Sequence, residues 1–384
     1  MRSYCLARVA RGCNVRCNPL QLFPVVAAVT YNRVMKAAVY YGPNRIEITD
    51  VAEPQPTPGT VKVKVGFNGI CGTDLHEYYA GPIFVPTSPH PLTGQQLPLT
   101  MGHEFSGVIT DIGAGVTDWA AGDRVAIEPV YKCGKCVPCR VGNYNVCQHI
   151  GFHGLMSDGG MAEYTIVPTE MLHRLPDSVS LELGALVEPM SVAYHAATLG
   201  EVHPGDTAMV FGAGPIGIGL LFALRGMKLD DVFVVEPSAT RRAAIEALGG
   251  ATLDPTTIDV PEFIADHTKG KGVDAAFDAA GVAGSVGTAL ACIGSRKPMI
   301  SVAIYEKPVE TPLLNLVMNE SRIQGSLCYT GADFEAVIAL MAKGAYDTTG
   351  WVTTIGLDDV IDEGFEALHA GKKMKVLVDP VGQR

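Results

Sequence analysis

The feature that most constrains the fold is a repeated grammar in the second half of the chain: an apolar strand-length run, a turn, then a helix-length segment. AMVFGAG, DVFVVEP, ATLDP, VDAAFDAAG, KPMISVAIY and RIQGSLCY, between residues 208 and 329, are six such runs. Apolar runs separated by helices predict βαβ units, whose crossovers join parallel strands buried on both faces. The first turn, VFGAGPIGIG, sets Gly212, Gly214 and Gly217 after a strand and before a helix. In such a turn the first glycine permits the tight bend, the second lets backbone approach a pyrophosphate, and the third lets helix and strand pack. The helix N-terminus that follows points free N–H groups at the anion. Glu236 ends the next strand, 24 positions after Gly212. An acid there accepts hydrogen bonds from the adenosine ribose hydroxyls and repels a 2′-phosphate. The expectation is a Rossmann doubly wound parallel sheet that binds NAD rather than NADP. Ile216 inside the turn and Arg241 beyond Glu236 join the expected cofactor contacts, and Arg241 and Arg242 could soften the preference.

The first half follows a different grammar. From Met35 onward, KAAVYYG, RIEITDV and TVKVKVGFNGI are short alternating strands with Pro and Gly punctuation, which predict a β-rich domain. After Tyr329 come two amphipathic segments, residues 332–343 and 357–370, and a final strand, KMKVLVDP, expected to return to the first domain. At 384 residues the chain suits two domains. The expected division is 35–186 with 331–384 for the β-rich domain, and 187–330 for the parallel sheet. Residues 1–34 contain five arginines and no acid. They read either as a translated upstream region or as a targeting segment for an organelle or export. Cys13 and Cys17 there read as free thiols.

Charge and cysteine usage narrow the function. A net charge of −11 and the lack of a basic stripe in the body of the chain argue against a nucleic-acid partner. The longest uncharged run, residues 207–224, has the length of a membrane span. Its glycines and Pro215 stand in phosphate-loop order, so no membrane partner is expected. Of ten cysteines, Cys133, Cys136, Cys139 and Cys147 fall in one fifteen-residue window, CGKCVPCRVGNYNVC. That spacing favours a metal over disulfides, and hence a reducing compartment such as the cytoplasm. Four thiolates close a tetrahedral zinc site and leave no position for substrate, so this site is structural.

A second donor set lies in residues 69–107, GICGTDLHEYYAGPIFVPTSPHPLTGQQLPLTMGHEFSG. Cys71, His103 and Glu104 are a soft, a borderline and a hard donor suited to zinc. Thr73, Asp74 and His76 are polar groups able to orient a ligand or pass a proton. Glu188, in the apolar segment ALVEPMSVAYH, is a fourth candidate, because a cation would offset the cost of burying its carboxylate. A helix N-terminus could also account for it. Cys292 and Cys328 read as core residues, and His195 as a packed helix residue. His153 either lines the substrate pocket or decorates a loop.

Taken together, residues 35–380 resemble the zinc-dependent medium-chain dehydrogenases. GHEFSGVITDIGAGV matches that family's zinc signature, and the four-cysteine lobe and GAGPIG match its other marks. The segment from Cys71 to Gly107, with its long insertion at residues 79–100, is most similar to the butanediol dehydrogenase branch, as are EPMSVAYH and VVEPS. That branch interconverts vicinal diols and acetoin-type ketones. The resemblance implies a GroES-like β-rich catalytic domain beside the Rossmann domain. It further implies that Cys71 and His103 bind the catalytic zinc, with Asp74 as the partner of His103 and Glu104 and Glu188 as competing or exchanging ligands. Thr73 and His76 match a proton relay that runs through the nicotinamide ribose. The partner is then a small diol or ketone. A homodimer or homotetramer is expected, because the last strand of the parallel sheet, near residues 324–329, is an apolar edge. Two other readings remain open: a dehydrogenase for another polyol or amino alcohol such as sorbitol or threonine, and a non-catalytic NAD-binding protein on the same fold.

Overall fold

The structure, a computed structural model, describes residues 33–305 and 307–382. The targeting expectation for the leader, with Cys13 and Cys17, lies outside them.

The six apolar runs form one six-stranded sheet, all of whose pairs are parallel. In chain order its strands are Thr207–Phe211, Asp231–Val235, Ala251–Leu253, Ala275–Asp278, Pro298–Ser301 and Arg322–Gly325. Across the sheet the third strand comes first, followed by the second, first, fourth, fifth and sixth. Alternate residues of each strand serve opposite faces. Ala208, Val210, Val234 and Phe277 pack with the helices Val187–Leu199, Pro215–Gly226 and Gly331–Ala342. Met209, Phe211, Phe233 and Val235 pack with Val260–His267 and Ser285–Cys292. Both faces are therefore covered, which is why the strands are apolar throughout instead of alternating. Chain order reverses between Thr207–Phe211 and Ala275–Asp278, and ligands of such sheets bind at the carboxyl ends of the strands at this point.

The glycine turn lies there. Gly212 has φ +96°, in the left-handed region, and a Cβ at Gly217 would run into the Gly212 carbonyl. Pro215 supplies the first turn of the helix, where its missing N–H costs nothing. The uncharged run of residues 207–224 is thus a strand and a helix. Among the described residues no helix is long and apolar enough to cross a membrane.

The β-rich part is organised by the strand Thr60–Gly69 in a seven-stranded sheet. Glu104–Ile112 and Tyr164–Pro168 pair along it antiparallel, and Lys375–Asp379 joins at its end with Leu377 opposite Gly69. Val61, Val63 and Val65 turn inward onto Phe105, Ile109 and Val125. Val34–Gly42, Arg45–Ala52 and Leu99–Thr100 form a separate three-stranded sheet. The segment expected as an amphipathic helix at residues 357–370 is helical with a wider winding, including a π-helical stretch at Val360–Glu366. That winding turns Val360, Gly364 and Phe365 inward, and Val360 and Phe365 share a core with Ile70 and Ile355.

His153 is no surface-loop residue but a buried group, 2% exposed, that borders a cavity together with Tyr131, Ser157 and Thr165. Its Nδ1 lies 3.1 Å from both the Tyr131 and Ser157 hydroxyls, and its Nε2 3.0 Å from the Thr165 hydroxyl. Burial lowers its pKa to about 3. An unfolded histidine titrates near 6.5, so below that pH the unfolded chain binds a proton that the folded chain refuses. The stabilisation is complete above about pH 6.5 and is lost as pH falls toward about 3. Between pH 6.5 and 5 the unfolding free energy, measured in urea, is expected to drop by about 1 to 2 kcal/mol more in the wild type than in a His153→Gln variant.

Candidate functional site

The pairing of Thr60–Gly69 with Glu104–Ile112 sets Gly69 opposite Glu104. A Cβ at Gly69 would collide with the Glu104 carboxylate, so this position needs glycine. Two residues on, Cys71 caps the helix Gly72–Ala80, and Asp74 in the first turn accepts the Cys71 N–H at 2.9 Å. His103 immediately precedes Glu104. Local register thus gathers residues 32 positions apart: one donor atom each from Cys71, His103 and Glu104 lies within 4.8 Å of the others.

Asp74 is fully buried, with Oδ1 3.4 Å from His103 Nδ1. At that distance the carboxylate faces Nδ1 electrostatically without a hydrogen bond, and Nε2 is the ring nitrogen left for a ligand. Burial alone would lower the His103 pKa, but Asp74 and Cys71 outweigh it and raise the pKa well above its usual value. Such a cluster attracts positive charge, and a divalent cation can take the place of the proton. The donor set therefore fits zinc. Thr73 and His76 are half-buried and three residues apart on the same helix, a spacing that puts them on one face.

Glu104 has a partner that the sequence did not reveal. Lys375, from the last strand, makes an ion pair with its carboxylate and donates to the Ile70 carbonyl at 3.0 Å. The two side chains are 1% and 3% exposed. Burial would lower the Lys375 pKa, but Glu104 and Cys71 keep it raised. Glu188, in the first turn of Val187–Leu199, stands outside the group within 4.8 Å. It accepts a hydrogen bond from the buried Tyr329 hydroxyl at 2.6 Å. Burial first, then the charge of Glu104, push its pKa up to about 7.

The second cluster is Cys133, Cys136, Cys139 and Cys147, also within 4.8 Å of one another. Zinc–sulfur bonds of about 2.3 Å in a tetrahedron place the sulfurs about 3.8 Å apart. The Cys136 and Cys147 sulfurs are 3.8 Å apart and those of Cys133 and Cys139 4.0 Å, and all four are free thiols. Neighbouring thiols here titrate together: backbone N–H groups of Cys139 and Gln148 pull the Cys136 pKa down to about 6, while burial and the neighbouring sulfurs push that of Cys139 up to about 12.

At the glycine turn, Glu236 is buried and both carboxylate oxygens are engaged. Oε2 accepts the Ala213 N–H and Oε1 the Ser238 N–H, each at 2.9 Å. Glu236 therefore fixes the turn of Gly212, Gly214, Ile216 and Gly217 as well as bordering it. Arg241 lies 4.0 Å from Oε2, whereas Arg242 pairs with Asp254 at 2.8 Å.

Of the cysteines read as core, Cys292 is buried. Cys328 is half-buried and packs against the core from past the end of the strand Arg322–Gly325, with φ +52°. His195 sits 3.0 Å from Asp333. Lys375 and Tyr329 are the residues missed by sequence reasoning, since each meets its partner across more than a hundred positions and carries no local motif.

Residues 57–177 match the family model of the alcohol dehydrogenase GroES-like domain, and residues 215–343 that of the zinc-binding dehydrogenases. The chain is 42% identical over 351 residues to the (R,R)-butanediol dehydrogenase of Bacillus subtilis, covering 90% of this chain and 100% of that protein. It is 38% identical over 355 residues to the (R,R)-butanediol dehydrogenase of Neisseria gonorrhoeae, covering 90% and 99%. The crystal structure of 2R,3R-butanediol dehydrogenase from Bacillus subtilis aligns with a TM-score of 0.85 at 42% identity, over 90% of this chain and 99% of that one. With a GroES-like part, a Rossmann sheet and two clusters of zinc-type donors, the chain belongs to the zinc-binding alcohol dehydrogenase family.

Proposed function

We propose that this chain is a zinc- and NAD-dependent oxidoreductase that interconverts a vicinal diol, such as 2,3-butanediol, and a hydroxyketone, such as acetoin. The observation that carries the reading is the gathering of half-buried Cys71 with buried His103 and Glu104 within 4.8 Å. The likeness to butanediol dehydrogenases supplies the substrate class.

In this reading Cys71 and His103 would hold the catalytic zinc with Glu104 and Glu188 as competing carboxylates, Glu188 the preferred one even though Glu104 is the acid gathered with them. Glu188 is preferred because, among the described residues, no cation makes an ion pair with its buried carboxylate, whereas Glu104 pairs with the Lys375 ammonium. When bound, the zinc polarises a secondary hydroxyl and lowers its pKa, and NAD accepts a hydride. Thr73 Oγ1 would accept a hydrogen bond from the substrate hydroxyl and, on taking its proton, give up its own, which His76, on the same helix, would carry to solvent. Asp74 faces His103 Nδ1 and so leaves Nε2 for the metal. Cys133, Cys136, Cys139 and Cys147 hold a structural zinc. The turn of Gly212, Gly214, Ile216 and Gly217 cradles the pyrophosphate, and Glu236, with Arg241 at its edge, disfavours a 2′-phosphate.

A homodimer or homotetramer follows from the edge of the parallel sheet. Beside the edge strand Arg322–Gly325, the helix Leu313–Met318 leaves Leu313, Leu314, Val317 and Met318 between 62% and 74% exposed. A second copy would cover both the edge and these side chains. Four cysteines gathered in one lobe without disulfides suit the cytoplasm, where thiols stay reduced.

Initial rates over a panel of diols, polyols and acetoin, with NAD and with NADP, test the function. 2,3-Butanediol with NAD is expected to be fastest, and a protein that forms NADH from no diol would overturn the reading. Wild type is expected to hold about two zinc ions per chain by elemental analysis. Cys71→Ser and His103→Ala should each lose about one of them and at least about a hundredfold in turnover.

The Glu104–Lys375 pair makes a separate prediction. Lys375→Met leaves a buried carboxylate uncompensated and is expected to cost about 3 to 5 kcal/mol in denaturant unfolding. Adding Glu104→Gln should recover most of that loss, because the former partner of Lys375 is then no longer a buried charge. Equal destabilisation in the single and double variants would contradict the pairing.

A further inference from the structure

The four-cysteine lobe reaches Glu188 through a short polar chain, and we propose that Tyr144 and Asn145 are positioning residues that set Glu188 for the reaction. The inference rests on the assignment of Glu188 to the open zinc site made above.

The helical turn Tyr144–Val146 lies between Cys139 and Cys147, and the Cys147 N–H donates to the Tyr144 carbonyl at 2.9 Å. Gathering the sulfurs therefore fixes where both side chains point. The buried Asn145 donates from Nδ2 to the Leu327 carbonyl at 2.9 Å. The Tyr144 hydroxyl donates to Glu128 Oε1 at 2.6 Å and accepts the Gly331 N–H at 2.5 Å. These two bonds bracket residues 328–330. Tyr329, in the middle, is fully buried, and its hydroxyl donates to Glu188 at 2.6 Å.

Backbone strain marks the same segment. Cys328 has φ +52°, a left-handed conformation that a non-glycine residue keeps only where its surroundings impose it. The clamps on either side supply that constraint. Further bonds stiffen the frame: His195 Nδ1 is 3.0 Å from Asp333 Oδ2, the oxygen that accepts the Thr330 N–H at 2.8 Å. Glu128 Oε2 is 2.9 Å from His173 Nε2. Because the Tyr144 hydroxyl donates its hydrogen to Glu128, its oxygen is free to accept the Gly331 N–H.

A lobe with its sulfurs gathered thus holds residues 327–331, and through Tyr329 it holds one oxygen of Glu188, leaving the other for the metal. Groups that hydrogen-bond a metal-binding side chain change metal affinity by about 10- to 100-fold.

The test uses the full-length, zinc-loaded enzyme and its Tyr144→Phe, Asn145→Ala, Tyr329→Phe and Glu188→Gln variants. Zinc release to a chromophoric chelator is followed in time, beside kcat and KM for 2,3-butanediol and NAD. Tyr144→Phe and Asn145→Ala are expected to release the open-site zinc about tenfold faster. They should lower kcat while leaving KM for NAD and the four-thiolate zinc unchanged, and Tyr329→Phe should reproduce the effect. Release and kcat at wild-type levels in both variants would overturn the positioning role. So would loss of the four-thiolate zinc or of thermal stability without faster open-site release. Glu188→Gln separates the two levels of the argument. If it keeps wild-type release and turnover, the assignment of Glu188 fails. If it sheds the open-site zinc while Tyr144→Phe and Asn145→Ala do not, only the positioning role fails.

Discussion

A buried charge pair, Glu104 with Lys375, is the interaction on which the arrangement of the site depends. It joins the first residue of one strand to the first residue of another, 271 positions later, both beside the end of Thr60–Gly69. Neither charge could be buried alone at tolerable cost, so each specifies the position of the other. The last strand thereby locks the register that brings Cys71, His103 and Glu104 together. Lys375 also donates to the Ile70 carbonyl, one residue before Cys71, so one ammonium holds the backbone of one donor and the carboxylate of another.

This pair also divides the labour between the two acids. With Glu104 paired to Lys375, Glu188 is the buried carboxylate that rests on the Tyr329 hydroxyl, and burial with the charge of Glu104 pushes its pKa up to about 7. Its neutral partner, Tyr329, orients it without cancelling its charge. The four-cysteine lobe, which has no room for substrate, acquires a second role through Tyr144 and Asn145, because it braces the segment that carries Tyr329.

What could be read without a structure was whatever is encoded by short spacing. The glycine turn and the four cysteines are each contained in about a turn or a loop, so residue identity and separation specify them almost completely. The parallel sheet was legible because six apolar runs at helix-length intervals admit few other packings. The π-helical winding at Val360–Glu366 was not, since apolar periodicity does not distinguish it from an ordinary helix; inward packing onto Ile70 and Ile355 accompanies it. The burial of His153 and the left-handed backbone of Cys328 were not legible for a related reason. Both are consequences of packing by residues that are not their neighbours in sequence.

By itself, then, the sequence determined the inventory: a dinucleotide-type turn, a closed set of four thiolates, and an open set of soft and hard donors in an alcohol dehydrogenase framework. Only the tertiary structure decided how the acids are shared, placing Lys375 on Glu104, Tyr329 on Glu188, and the cysteine lobe behind Tyr329. The physical reason is that a motif fixes its own geometry through local backbone, whereas the neutralisation of a buried charge depends on whichever distant segment the fold delivers to it.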